Sequence, residues 1–376
     1  MADAPKPARA SSKRWGKSPW SIDFRPLQRV LPEQVDFAVV GGGFTGLAAA
    51  AWLRKLAPDK TVGLFEAEQI GAGASGNTGG MVLAESSAGD LPGLGDVLGG
   101  FRATLDELGI QCDLHLPGAW EIGRSGGWKD SPLSWSDSGR LRVVDEVAGG
   151  TVDPGKLVNG LARAADHLGA SIYEGALIDD LQWQNPLLLK LGSKEIRAGS
   201  MLIATNAQSL ELSGLNGRAE PNFTLAVATE PLTPAQLEVL GLSSGKPFYT
   251  VDLPYLWGRV LPSQGVVFGS GLVDLDDWRK LKQIDIASGE AAELIARIEL
   301  RVRNLDPALK SVQFTHWWGG PILFTEDWKP VFARHPRSER AIVLGAYAGQ
   351  GVALSVYLGR WAAEAMLGLR PLPHWK

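Results

Sequence analysis

The chain has 376 residues, more than the roughly 100–200 that one domain usually holds, so two lobes or one lobe with large insertions are expected. Its 45% hydrophobic and 21% charged residues exclude a disordered or collagen-like chain, and a net charge of −4 argues against a dedicated nucleic-acid binder. The single cysteine, Cys112, excludes an internal disulfide and any multi-cysteine metal centre built by this chain alone. The five histidines have no HxxxH spacing, so no zinc site is expected.

Residues 1–20 are basic and polar at their start, with no apolar run behind them; a flexible tail and a cytoplasmic protein are expected. The first firm element is the valine-rich run 35–40, suited to a buried parallel strand. A glycine turn over 41–46, an alanine-rich helix over 47–56 and a second strand over 61–65 complete a β-α-β unit ending at Glu66. A loop of small residues, 71–80, follows. Residues 91–142, irregular and rich in Gly and Trp, are assigned to another lobe. An amphipathic helix is expected over 153–168, strands over 171–173, 177–181 and 200–204, antiparallel strands across 221–271, and a helix over 290–304. Residues 341–366 repeat the plan of strand, glycine turn and helix. The uncharged stretches between Asp36 and Arg54 and between Arg340 and Arg360 approach the length of a membrane span, but a glycine cluster in the middle of each reads as a turn. The fold class is thus α/β plus antiparallel β. A nucleotide lobe, residues 21–90, 150–218 and 316–376, is left and re-entered by a second lobe, residues 91–149 and 219–315.

The sharpest motif is GGGFTG, a G-x-G-x-x-G at Gly41, Gly43 and Gly46. The first glycine permits a tight turn, the second a close approach to a pyrophosphate, and the third close packing of helix on strand. Phosphate suits the helix N-terminus, where unpaired N–H groups and the dipole favour negative charge. The motif follows a strand, opens a helix, and has an acid, Glu66, about 20 residues on, as a dinucleotide site requires.

From residue 20 to residue 368 the chain resembles the D-amino-acid-oxidase-like flavoprotein family, which includes glycine oxidase, sarcosine oxidase and γ-glutamylputrescine oxidoreductases. The pieces VVGGGFTGLAAAAWL, FEAEQIGAGASGNTGGM, LIATNA, WWGGPILFTEDWKPVFARHP and LGAYAGQGVALSVYLGRWAAEAM carry the resemblance in order. It implies a Rossmann-type FAD-binding lobe, a substrate lobe on an antiparallel sheet, and FAD as cofactor. It assigns the first turn, including Phe44 and Thr45, to the pyrophosphate and Glu66, with Ala67 beside it, to the adenosine ribose. Ala74, Ser75, Gly76, Asn77, Thr78, Gly79, Gly80 and Met81 go to the ribityl chain and flavin edge, and Leu177 to the adenine. Thr205, Asn206 and Gly319 flank the cofactor, and Gly349, Gln350, Gly351 and Val352 lie beside the isoalloxazine, with Gln350 where relatives have histidine. Helix 352–366 would aim its positive end at N1–C2=O of the flavin.

Departures from the family guide the substrate reading. No cysteine stands where sarcosine oxidases attach flavin, so non-covalent FAD is implied. The positions of two cationic carboxylate anchors are taken by Ile322 and Ala353, which points away from α-amino acids and toward amines. Tyr255, Trp257 and Arg259 are expected on one face of a strand, as pocket walls and a candidate clamp. One of Trp317 and Trp318 is expected in the core, and His316 is read as structural. Lys280 and Lys282 are read as solvated, leaving the electron acceptor, oxygen or another, unassigned. The function implied is oxidation of a C–N bond by hydride transfer to flavin N5, followed by imine hydrolysis, with a γ-glutamyl-polyamine-like amine among the candidates. Oxidation of an α-amino or N-methyl amino acid is the alternative; a flavin-dependent tRNA-modifying module and a subunit of an electron-transfer complex are more remote ones. The oligomeric state is left open.

Overall fold

The computed structural model describes residues 14–375. Strand Gln34–Val40 lies at the centre of the first sheet, parallel to Val62–Phe65 on one side and Lys194–Ile203 on the other. Ser171–Tyr173 and Ser338–Gly345 extend this parallel core, and Val331–His335 closes one edge antiparallel. The central strand is buried on both faces. Phe37 and Val39 join the helix-side core, whereas Ala38 and Val40 join the other core, which is why the strand reads as one continuous apolar run. Its end is level with its neighbours: Val40 pairs with Phe65 and Ile203, Phe65 with Tyr173, and Ile203 with Val343. Ligands bind outside the carboxyl ends of such strands.

Helix α1 (Phe44–Leu56) packs against α3 (Pro154–His167) and α5 (Gly351–Met366), and α2 (Val97–Leu108) packs against α5. The second sheet has the strand order Phe314–Thr325, Ala219–Thr229, Val266–Asp274, Trp257–Val260, Phe248–Thr250, Ala119–Gly123, Arg140–Val147, Ser134–Ser136. Its neighbours are antiparallel except Phe248–Thr250 and Ala119–Gly123, which run parallel. Helix α4 (Gly289–Leu305) packs on this sheet. Among the described residues no helix is long and apolar enough to cross a membrane.

The structure corrects four expectations. Residues 91–112 do not belong to the second lobe, because Leu91, Leu94, Phe101 and Leu105 sit in the helix-side core of the first sheet. The glycines that made this segment look irregular serve its packing: a Cβ on Gly100 would lie 2.4 Å from the Tyr357 ring. Residues 316–325 belong to the second sheet, since Phe314–Thr325 pairs along its length with Ala219–Thr229. The strand expected over 177–181 is Asp180–Gln182, leaving Leu177 in an exposed loop. Of the expected tail, residues 1–13 lie outside the described residues, but 14–20 dock, with Trp15 and Trp20 buried.

Candidate active site

A cavity of about 1150 Å³ opens at the level ends of the parallel strands and runs on to the second sheet. The glycine turn forms its floor. Gly41 has φ +110°, and a Cβ there would lie 2.6 Å from the Ala204 carbonyl oxygen; a Cβ on Gly46 would lie 2.0 Å from that of Gly41. Gly43 is the N-cap of α1 and supplies no side-chain cap, while Ser75 Oγ accepts from Phe44 N–H at 2.9 Å. Glu66 stands at the end of the second strand, its Oε2 accepting from Gly42 N–H (2.7 Å) and its Oε1 from Glu68 N–H (2.8 Å). Burial pushes its carboxyl up to about 7, against the pull of those two amides.

Around the floor, Ala67, Ala74, Ser75, Asn77, Thr78, Gly79 and Met81 line the cavity, as do Leu177, Thr205 and Asn206. Asn77 Nδ2 donates to Gly73 O at 2.8 Å and folds residues 74–77 into one helical turn. Asn206 adopts φ +49°, and its Oδ1 accepts from Ala346 N–H at 2.9 Å. Gly349 (φ +92°), Gln350, Gly351 and Val352 also face the cavity, and α5 starts there with Gln350 as an N-cap that offers no side-chain bond. The hydroxyls of Thr45 and Tyr347, 2.7 Å apart, tie the first turn of α1 to the approach to α5. Two helix N-termini whose N-cap residues, Gly43 and Gln350, supply no side-chain bond, a strand-end acid, and a buried Thr205 Oγ1 with no partner fit a dinucleotide with a negatively polarised ring.

The far half of the cavity is the second sheet. Trp257 and Tyr249 are paired residues on neighbouring strands and both line it. The Trp257 indole lies between two glycines: a Cβ on Gly79 would be 2.1 Å from its ring and one on Gly269 2.0 Å. Leu294, Arg297, Ile298 and Arg301 present one face of α4. Arg301 is fully committed, to Asp137 (2.6 Å), Tyr255 O (2.7 Å), Pro254 O (2.8 Å) and Ser270 Oγ (2.8 Å). Asp137 also pairs with Arg124, which reaches Asp252 in turn. Ile322 lines the cavity, whereas Ala353 is buried in the core.

Several expected site residues lie elsewhere. Tyr255 lines the cavity from a loop, not a strand, because the strand begins at Trp257 after Pro254. Arg259 shares the Trp257 face but is buried away from the cavity, donating to Val152 O (2.6 Å) and Gly80 O (3.4 Å). Desolvation pulls its pKa down to about 10. It is a prop under the loop, not a clamp. Gly46, Gly76, Gly80 and Gly319 do not line the cavity. Gly76 O accepts from Trp20 Nε1 at 2.7 Å, and Gly319 packs on Phe223 while its neighbour Gly320 faces the cavity. Trp318 is the core member of its pair and Trp317 is partly exposed. His316 lies outside the cavity, with burial lowering its pKa, and buried Cys112 has its thiol pushed up to about 12 by desolvation. Lys280 pairs with Asp276 at the surface. Sequence reasoning missed Tyr249, Asp137 and Arg301. The i, i+3, i+4, i+7 spacing of residues 294–301 was a signal for Arg301; nothing local marked the other two.

A family model described as FAD dependent oxidoreductase matches residues 36–365. The chain is 26% identical to the probable oxidoreductase OrdL of Haemophilus influenzae, over 92% of this chain and 86% of that protein. It is also 26% identical to γ-glutamylputrescine oxidoreductase of Escherichia coli, over 89% of this chain and 84% of that one. Among solved structures it is similar to glycine oxidase from Geobacillus kaustophilus, with a TM-score of 0.69 at 20% identity over 90% of this chain and 96% of that one. That last likeness is one of fold.

Proposed function

The chain belongs to the FAD dependent oxidoreductase family, and from that premise we propose that it oxidises the C–N bond of a primary or secondary amine whose reacting carbon bears no carboxylate. It is an FAD-dependent enzyme acting on amines or amino acids; the choice between the two rests on the cavity. One observation carries it: Arg301 has its donors taken by Asp137, two backbone carbonyls and Ser270. Arg259 is buried beneath the loop, and Ile322 presents hydrocarbon. A carboxylate next to the reacting carbon would be desolvated here without a partner, at a cost of several kcal/mol. Arg297, exposed at the rim and 3.8 Å from Glu293, suits a carboxylate remote from the reacting nitrogen, as in a γ-glutamyl derivative.

Bound FAD, held without a covalent link, supplies the acceptor for a hydride leaving the carbon next to nitrogen. The chain's part is placement and dryness. Trp257, Tyr255 and Phe324 wall the substrate half and keep the amine neutral and oriented, so that its lone pair assists the loss of hydride. The imine product then takes up water to give a carbonyl compound and ammonia or a smaller amine.

Butylamine and norvaline, which differ by one carboxylate on the reacting carbon, test this reading. In anaerobic stopped flow butylamine should bleach the flavin faster, and a parallel peroxide assay in air reads the acceptor. A consistent preference for norvaline would sink the amine reading.

A further inference from the structure

Tyr249 and Glu121 are side by side on the two parallel strands of the second sheet, in register with each other. Tyr249 is also paired across with Trp257, so the three residues form one row that leads away from Gly79. Tyr249 lines the cavity, and its hydroxyl donates to Glu121 Oε1 at 2.7 Å. A phenol has a single proton to give. With that proton committed to the carboxylate, the oxygen turns only lone-pair density to the cavity: it can accept from a ligand and cannot donate. Burial, the bond to Glu121 and nearby negative charge push the phenol's pKa upward, so it stays un-ionised at neutral pH.

We infer that Glu121 locks Tyr249 as a hydrogen-bond acceptor that selects N–H-bearing amine groups in the substrate half and rejects carboxylates. The inference rests on the amine reading above and assigns that selectivity to two residues. Tyr249 touches the ligand, and Glu121 is a positioning residue acting through it. A carboxylate here would set acceptor against acceptor with a second carboxylate behind, the repulsive element that discrimination needs.

tert-Butylamine and pivalate test the lock. They share one shape, and neither carries a hydrogen on the carbon next to its polar group, so neither turns over. Calorimetric titration of the holoenzyme should show tighter binding of tert-butylamine. Tyr249→Phe should weaken that binding about fivefold, the weight of one neutral hydrogen bond, and leave pivalate unchanged. Glu121→Ala frees the hydroxyl to donate, so the ratio of the two dissociation constants should move about tenfold toward pivalate, and in a Tyr249→Phe background this shift should vanish. A shift that survives there would assign selectivity to the Glu121 charge alone and overturn the lock, as would failure of tert-butylamine to bind the wild type. If Glu121→Ala does not fold, Tyr249→Phe decides alone, because unchanged tert-butylamine affinity refutes the contact. The amine reading fails separately, through butylamine and norvaline turnover, and leaves these binding ratios readable.

Discussion

Glu66 shows how a residue's place in the fold sets its charge. It stands at the end of the second parallel strand, where burial raises its carboxyl from 4.5 to about 7. Between those values the folded apoprotein holds a proton that the unfolded chain does not. Its contribution to stability therefore falls as pH rises through that window. A carboxylate that accepts from ribose hydroxyls binds FAD best when ionised, so FAD affinity should rise as pH climbs through about 7 in the wild type. In Glu66→Gln the profile should be flat, as titration of apoprotein with FAD across pH will check. Glu66→Ala should lose much of its FAD during purification, since hydrogen bonds to a charged group contribute about 1.5–3 kcal/mol each, yet turn over normally when saturated with FAD. Retention of flavin as tight as wild type would show that the ribose contact is misassigned. This position was legible in sequence because strand, turn and helix lengths bring the acid to one place. The role of Arg259 was not: alternation put it on the Trp257 face, but where along that face the cavity stops depends on Gly80 and Val152, far off in sequence.

At the scale of elements, the cavity wall and the loop of residues 71–80 meet through one indole. The Trp257 indole covers Gly269, its cross-strand partner, with its Cε2–Cζ2 edge, and its Cζ3 side abuts Gly79. Both glycines are there because a rigid ring leaves no room for a methyl group. Gly269→Ala should cost about 1–3 kcal/mol as overpacking, and the same substitution should cost little in a Trp257→Ala background. Urea midpoints of the two single variants and the double variant will show the coupling; independent, additive losses would mean that the ring tolerates the methyl by moving. The same principle sets what could be read beforehand. The strand–glycine turn–helix units at both ends were legible because buried parallel strands are continuous apolar runs and the turn glycines are locally required. Helix α2 was hidden by Gly99 and Gly100, since the Tyr357 ring that Gly100 accommodates is 257 residues away in sequence. The Tyr249–Glu121 pair, 128 residues apart, depends on a parallel strand pairing that no local pattern announces.

Across the whole molecule, the two sheets share a cavity, and residues 14–24, outside it, fasten one sheet to the other. At the second sheet, Trp15 O accepts from Gly319 N–H (2.9 Å) and Lys17 N–H donates to Trp317 O (3.0 Å), while Trp15 Nε1 donates to Leu281 O (3.0 Å) in the neighbouring 3-10 turn 278–283. The strap then passes the loop of residues 71–80, where Trp20 Nε1 donates to Gly76 O (2.7 Å) and its ring meets Trp318 edge-on. It ends on α3, where Asn159 Oδ1 accepts from the backbone of Asp23 and Phe24 and Asn159 Nδ2 donates to Ser21 O. Removing either buried tryptophan leaves a large cavity, so Trp15→Ala and Trp20→Ala should each cost about 3–5 kcal/mol. Their effects on the cofactor should differ. Trp15 holds the second sheet alone, whereas Trp20 also fixes the carbonyl of Gly76, inside the turn whose neighbours line the cavity. At temperatures where both variants are folded, Trp20→Ala should release FAD faster than Trp15→Ala, read by the recovery of flavin fluorescence on dilution. Equal release rates would mean that the strap secures the sheets but that the loop of residues 71–80, with its own Asn77 bonds to Ala72 and Gly73, keeps its shape without it.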